Sequence, residues 1–518
     1  MKTFRFIGLV VLALLPVATN AQLYQDVSSS TAAIVRDPAR QASTEIDAVI
    51  NNPAGTAFLK DGWHFSLSGR VNRQNIDLQS FGSTSTQMMI DYIPSLQAAY
   101  KKNKVAISLS YSNEGGYGKI SNQALDPMLT YYLDRCCNNT FESYKSIMAK
   151  ISTMFSMDDK LYNEAIVKAT QYNRTFRLGA SVALTPKWSV YAGVRLNSVR
   201  EKSSIGVYRS VETINGTRMS PEAYFTAINK DIDREMNSKI ESAKSLQERA
   251  RFLAGIASGL GMDPSGFESI ADNEEELVRM MEALRKEMSG RMEKMAKTPT
   301  MSTVDIPTMS GWTVTPVLGV DFKTGNFNFA AKYEFDMKVR TNGDYESFHI
   351  PAILSAGASW KCTEKVALAL GGSWMHITKS KSYAGSDNRI VIKDNDMIFN
   401  MGEYLGDFSS EIKGNADFYK FDASISVSPV ECLTLSAGYS WGVQPYQFKT
   451  IYPKSITAGK NTNIDTFSGG INYKVCDNVT LDVGISYLTQ QVTRSPELYI
   501  SKTNYNRLTA SAGINVNF

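Results

Sequence analysis

Three histidines, His64, His349 and His376, are all the imidazole that 518 residues supply, a small stock for acid–base or metal chemistry. His64 and Ser66 fall on one face of an alternating segment. A nucleophilic enzyme would need that pair at the lipid boundary with a third, orienting group; they lie instead near the short-turn end and no nucleophile elbow exists, so no catalytic role is expected. Of five cysteines, Cys136 and Cys137 are vicinal, and adjacent cysteines rarely close an unstrained bridge. Cys362, Cys432 and Cys476 each fall at a short turn; an odd count at such positions argues against a disulfide framework. What the polar positions do offer is cations on the wet face of alternating segments: Arg70, Arg177, Arg195, Lys332 and Arg507. Arginine can hold a carboxylate with two parallel hydrogen bonds. Lys332 has Glu334, Asp336 and Lys338 as neighbours on its own face. No metal set and no cofactor are implied.

The elements that carry these cations alternate with period two. In "VTLDVGISYLT", Val479, Leu481, Val483, Ile485 and Tyr487 point one way, and Thr480, Asp482, Gly484 and Ser486 the other, the pattern of a strand with one apolar and one wet face. Fourteen such segments occur, near residues 63–76, 93–100, 105–115, 174–184, 188–199, 312–322, 326–339, 350–361, 365–377, 416–428, 432–444, 463–475, 479–490 and 505–518. Their connections alternate between short turns ("KKNK", "TPK", "TGN", "CTE", "PVE", "CDN") and longer excursions. A transmembrane barrel produces that asymmetry; a soluble sandwich has no reason to gather its short turns at one end. The fold class expected is therefore all-β: a 14-stranded antiparallel transmembrane β-barrel spanning residues 63–518. Trp63, Trp188, Trp312, Trp360 and Trp441 lie near segment ends, where interfacial girdles belong. The last strand, "LTASAGINVNF", ends in Phe518 and resembles the signal by which the barrel assembly machinery recognises its clients.

Export is legible at the other end. Lys2 and Arg5 precede an apolar run from Ile7 to Ala18 and small residues at Thr19 to Ala21, which is the layout of a signal peptide over residues 1–21. About a dozen apolar residues are too few to span a bilayer core of roughly 30 Å. With Lys and Arg (55) nearly balancing Asp and Glu (51), no field exists to attract nucleic acid. The place expected is the outer membrane of a bacterial cell, with its lipid as one partner. Two outer loops are long, 116–173 and 200–311. In the second, Ser220-Pro221 predicts a helix start running to about Gly259, and Asn273 a cap for another. Leu277, Met281, Leu284, Met288, Met292 and Met295 then recur at three- or four-residue spacing, either as a packing stripe or as an adaptable apolar groove.

Residues 22–62 are too polar and irregular for a lipid-facing strand, and a lumen of fourteen strands is wider than its own side chains fill. The segment is expected to plug that lumen. "DAVINNPAGTAFL" closes it: Pro53 restricts Asn52, and Gly55 permits a turn, so the chain can cross the lumen as a fixed bend. Fourteen strands, a short plug, Asn52-Pro53-Ala54-Gly55 just before the first strand and a long helical third outer loop together resemble the long-chain fatty acid transporter (FadL) family. The resemblance implies a monomeric channel for passive uptake of hydrophobic small molecules or lipids, with a hatch-gated lumen. It also implies Leu23 and Tyr24 reaching a pocket above the hatch, and lateral exit at a kinked third strand, here Gly115-Gly116. A haemin receptor or a general diffusion porin is the alternative. "VRDPARQ", whose Asp37-Pro38 interrupts a helix, departs from the family's glycine-rich plug.

Overall fold

The computed structural model describes residues 31–80, 83–113, 118–120, 145, 148–149, 151–259, 262–297, 300–341, 348–376, 389–390, 399–400, 417–444, 462–494 and 501–518. The expected signal peptide and residues Leu23, Tyr24, Gly115, Gly116, Cys136 and Cys137 lie outside them. No described helix is long and apolar enough to cross a membrane. The chain forms two compact units: Met1–Pro127, Val167–Ile205 and Asp305–Phe518 make one, Met128–Ile166 and Gly206–Val304 the other.

The first unit is a closed antiparallel barrel. Its strands are β1 (Gly62–Ser80), β2 (Ser83–Lys102), β3 (Val105–Asn113, then Gly118–Ile120), β4 (Lys160–Ala183), β5 (Trp188–Glu212), β6 (Met301–Thr324) and β7 (Phe327–Glu334, then Met337–Thr341). They continue as β8 (Phe348–Ile350, then Ile353–Lys361), β9 (Val366–Met375), β10 (Phe418–Val430), β11 (Leu433–Gln444), β12 (Thr462–Cys476), β13 (Val479–Arg494) and β14 (Ser501–Asn517). β1 pairs with β2 and also with β14, His64 facing Asn517, so no edge is left unpaired. Fourteen strands result, as alternation predicts. The turns 103–104, 184–187, 325–326, 362–365, 431–432 and 477–478 are short, as expected; the connection between β1 and β2 is short as well, where a longer excursion was expected, because those strands pair as far as Ser80 and Ser83.

Alternation sorts the two faces. Along β1, Trp63, Phe65, Leu67 and Val71 are exposed while His64, Ser66, Ser68, Arg70 and Asn72 are buried inside. An apolar face turned outward and a polar one inward suits lipid outside and a hydrated interior. Near the short turns, Trp63 lies 4.7 Å from Tyr100, Trp188 4.4 Å from Phe322 and Trp360 5.6 Å from Phe327, ring centre to ring centre. Such rings make the interfacial girdle. A closed barrel with an apolar outer belt is built to span a membrane.

Several strands outrun the bounds read from alternation. β4 begins at Lys160, not near 174, β5 ends at Glu212 and β6 begins at Met301, so the excursions are shorter than 116–173 and 200–311. Beyond the lipid both faces of a strand meet water or protein, and period two fades although pairing continues. Two short helices, α1 (Ala32–Arg36) and α2 (Ala48–Asn51), precede the first strand, and the second unit holds α3 (Pro221–Gly259) and α4 (Ser265–Ala296). α3 starts where Ser220-Pro221 predicts. α4 starts eight residues before Asn273, because the Asp263 side chain accepts from Ser265 N at 2.9 Å and organises the first turn there. Met288 and Met292 are buried with Tyr224, Phe225, Ile228 and Ile232 in a hydrophobic core, so this part of the methionine stripe is packing. Leu277 and Leu284 are exposed.

Candidate functional site

The plug occupies Thr31 to Asp61 and is almost wholly buried. It opens with α1 (Ala32–Arg36), capped by Thr31, whose hydroxyl accepts from Ile34 N at 3.3 Å. The helix stops at Asp37-Pro38, as those residues predict. Arg40 then gathers carboxylates: Asp47 at 2.7 Å, Glu45 at 2.6 Å and Asp37 at 3.6 Å. Burial alone would raise the Asp47 carboxyl, but Arg40, with hydrogen bonds from Ser43 and Asn51, holds it below its ordinary range. Burial likewise opposes the Arg40 charge, and Asp47 and Glu45 outweigh it, raising the guanidinium further.

α2 (Ala48–Asn51) leads into the Asn-Pro-Ala-Gly turn, which begins a 3-10 helix over Pro53–Phe58 with Pro53 at its first position. Asn52 is the hub. Its amide donates to Ser43 O at 2.9 Å and to the Asp321 carboxylate of β6, and its Oδ1 accepts from Gly55 N at 3.3 Å. Asn328 of β7 completes the arrangement, donating to Asp321 at 3.0 Å and to Ala42 O at 2.9 Å. Gly55 is needed for space, not for an unusual backbone angle: a Cβ there would sit 2.5 Å from Asn52 Nδ2 and 2.6 Å from Ser43 O. Ala54 O accepts from Ser189 at 2.7 Å, and Thr56 meets Ser181 at 2.7 Å. The bend is pinned to the wall on both sides.

Next to the plug, three of the five cations expected from alternation converge on one carboxylate. Glu334 of β7 receives Lys332 at 2.7 Å, Arg195 of β5 at 2.6 Å and Arg177 of β4 at 3.3 Å. All four are buried. Lys332 also donates to Ile50 O of the plug at 2.8 Å. Asp336, expected beside Lys332, is exposed, because β7 is interrupted at Phe335 and Asp336. Arg70 and Arg507 stand on β1 and β14, on another part of the wall.

From Glu334 a polar chain leads to β3. Arg195 Nε donates to Asn197 Oδ1 at 3.0 Å, Asn197 Nδ2 to Asn173 Oδ1 at 2.9 Å, and Asn173 N to Asn113 Oδ1 at 3.1 Å. Asn113 ends the first piece of β3. Alongside lies a polar patch that sequence reasoning missed. Ser95 Oγ, both amide atoms of Gln97, Ser110 Oγ and Thr175 Oγ1 are buried with no hydrogen-bond partner among the described residues. Register places them together, Gln97 facing Ser110 and Ser110 facing Arg177. Each such buried group costs about 1–3 kcal/mol unless something pairs with it.

No family model matches the sequence, and no curated protein does. Solved structures do. A Pseudomonas aeruginosa FadL homologue is 10% identical with a TM-score of 0.54, covering 95% of this chain and 99% of that one. The Pseudomonas putida toluene transporter TodX is 13% identical with a TM-score of 0.50, again covering 95% and 99%.

The chain has the FadL-type fold.

Gly115-Gly116 were the expected weak point of the third strand. Those two residues lie outside the described ones, but the register on either side is telling. Ser95 faces Ser112 and Ile90 faces Lys119, so five steps of β2 span seven of β3. Asn113 faces Arg174 and Gly118 faces Gln171, so three steps of β4 span five of β3. Two extra residues sit in β3 relative to both neighbours, between Asn113 and Gly118. Two of the three histidines already have partners: His64 meets Asn517 Oδ1 and Lys60 O, each at 2.8 Å, and His376 meets Asp417 at 3.1 Å. Asp321 and Glu334 were findable as carboxylates on the wet face, and Lys332 as the neighbour of Glu334; Asn52, Arg177 and Arg195 come from other parts of the chain and were not findable as their partners.

Proposed function

We propose that the protein is a passive outer-membrane channel for hydrophobic molecules that carry a polar head, with lateral exit through the wall at β3. The observation that carries this is the two-residue surplus of β3 against both neighbours. Beside it lie Gln97, Ser95, Ser110 and Thr175, which would receive a hydroxyl or carboxylate head, and the Arg177–Arg195–Lys332 cluster, which favours an anionic one. The plug closes the axial route, so a plain diffusion pore fits poorly. The FadL homologue and the toluene transporter share the fold, which makes hydrophobic cargo the economical reading; long-chain fatty acids match the cationic cluster better than bare hydrocarbons. Arg195, Asn197 and Asn173 link that cluster to Asn113, so a cargo anion competing for Arg195 would loosen the polar chain that braces β3.

The test is uptake of radiolabelled oleate and toluene by vesicles containing the protein, beside a variant lacking Gly115 and Gly116, which evens the register of β3 with its neighbours. Uptake by the parent and loss in a correctly folded variant is the expected result. Undiminished uptake by the variant would remove β3 as the exit.

A further inference from the structure

In the loop unit, α3 and α4 pack as a hairpin whose two flanks differ. Ile240, Ala243 and Val278 are buried together along the seam, and Ala250 and Ala271 are buried further along it. On one flank, polar pairs cross from helix to helix: Lys244 meets Glu282 at 3.2 Å, Arg251 meets Glu275 at 2.5 Å, and Arg285 donates to Asn237. The α4 partner falls in number as the α3 partner rises, so the helices run antiparallel. At 3.6 residues per turn, Leu246 and Leu253 lie on the other side of the Ala243–Ala250 line from Lys244 and Arg251. Ile270, Leu277 and Leu284 likewise lie on the other side of Ala271 and Val278 from Glu275 and Glu282. Because the charged lines meet on one flank, the two apolar lines share the opposite one, with Ile256 beside them.

Each of these six aliphatic side chains is 40–49% exposed. Together they leave on the order of 500 Å² of apolar surface open on one flank, near the top of what a monomer ordinarily exposes. With its polar border the flank approaches the roughly 800 Å² that each side of a stable interface buries. Within residues 221–296 acidic side chains outnumber basic ones, 15 to 11, which disfavours an anionic lipid surface as the occupant. We infer that this flank is an interface between two copies of the chain, which joins two hairpins into a four-helix bundle. Charge selects the arrangement. The α3 border of the flank carries Arg249 and the α4 border Glu274. A twofold axis along the hairpin lays α3 on the partner's α4, and Arg249 then reaches the partner's Glu274; an axis across the hairpin would lay arginine near arginine. Each copy keeps its own barrel, and the inference does not depend on the cargo.

The test is the mass of the full chain by light scattering in detergent over a concentration series, with energy transfer between donor- and acceptor-labelled copies in phosphatidylcholine vesicles. The parent is expected to pass from one chain to two as concentration rises, and to show transfer in vesicles. Leu253→Glu and Leu277→Glu, at exposed positions, are expected to weaken the dimer about tenfold or more and to leave barrel folding, read by heat-modifiable migration, unchanged. Arg249→Glu and Glu274→Arg are each expected to weaken it, and both together in one chain to restore it, a rescue that non-specific apolar association would not give. A parent that stays a single chain in both measurements, or a dimer that survives both leucine changes, would overturn the inference. So would a bimane dye at Leu277→Cys, with the five native cysteines replaced by serine, that is shielded in the single chain or quenched by a lipid-borne quencher. The flank would then be covered by the chain itself or by the membrane.

Discussion

Glu334→Gln removes one negative charge from a buried site where three cations meet it at 2.6–3.3 Å. Glutamine keeps the shape and can still accept a hydrogen bond, so the change isolates charge. If the carboxylate acted only as an acceptor, the loss would be that of one ordinary hydrogen bond, about 1 kcal/mol. Stripping the anion from a buried ion pair instead costs about 3–5 kcal/mol, because the remaining charges stay desolvated without compensation. The larger figure is expected here, since Glu334, Arg177 and Arg195 are each at most 2% exposed. Urea unfolding of the protein refolded into lipid vesicles reads it directly. The loss is expected to persist at about 1 M salt, where screening over about 3 Å reaches exposed pairs but not this one. Adding Arg195→Gln to Glu334→Gln is expected to recover part of the stability. A loss under about 1 kcal/mol, or one that vanishes in high salt, would refute a charge-held cluster.

Other outcomes follow from the plug and the loop unit. Gly55→Ala is expected to push Asn52 off Asp321, costing about 1–3 kcal/mol and raising ion leak in planar bilayers; unchanged leak would mean the turn is not part of the seal. The Asp47 carboxyl lies below its ordinary value, so its contribution to plug docking is complete above the unfolded value of about 3.9 and lost as pH falls through the lower folded one. Protease resistance of the plug is therefore expected to hold at pH 5 and to fail only in stronger acid, and in Asp47→Asn it is expected to be weak already at pH 7. Met292→Ala in the loop core, where Met292 is fully buried, is expected to cost that unit about 2–5 kcal/mol in thermal unfolding. Tyr224, raised by burial and by its 2.5 Å hydrogen bond to Asp159, is expected to stay unionised when exposed tyrosines titrate, as ultraviolet difference spectra would show.

The barrel was legible because strand alternation and short turns are local: a single segment such as 479–490 reveals both of its faces. Where lipid ends, so does the signal, which is why the outer reaches of β4, β5 and β6 went unread. The helix start at Ser265 was hidden because Asp263 caps from outside the apolar stripe that drew attention to Asn273. At the site, the wet face of each strand identified Arg177 and Arg195 singly, and Lys332 with Glu334 beside it. The arrival of the two arginines on Glu334 depends on which strands stand side by side and on the stagger between them, which no local pattern encodes. Gly484 has the same cause: unremarked in its own strand, it leaves room for Arg36, whose backbone N would lie 2.7 Å from a Cβ there, some four hundred and fifty residues earlier in the chain.

The central claim, an apolar cargo held by its head beside Arg177 and Gln97, is tested most directly by mass spectrometry of molecules that co-purify with the detergent-extracted protein. The protein is run beside Arg177→Met and Gln97→Leu. A fatty acid or another single-headed amphiphile on the parent, depleted in both variants, is the expected result. Haem on the parent, or the same amphiphile retained equally by all three, would contradict it.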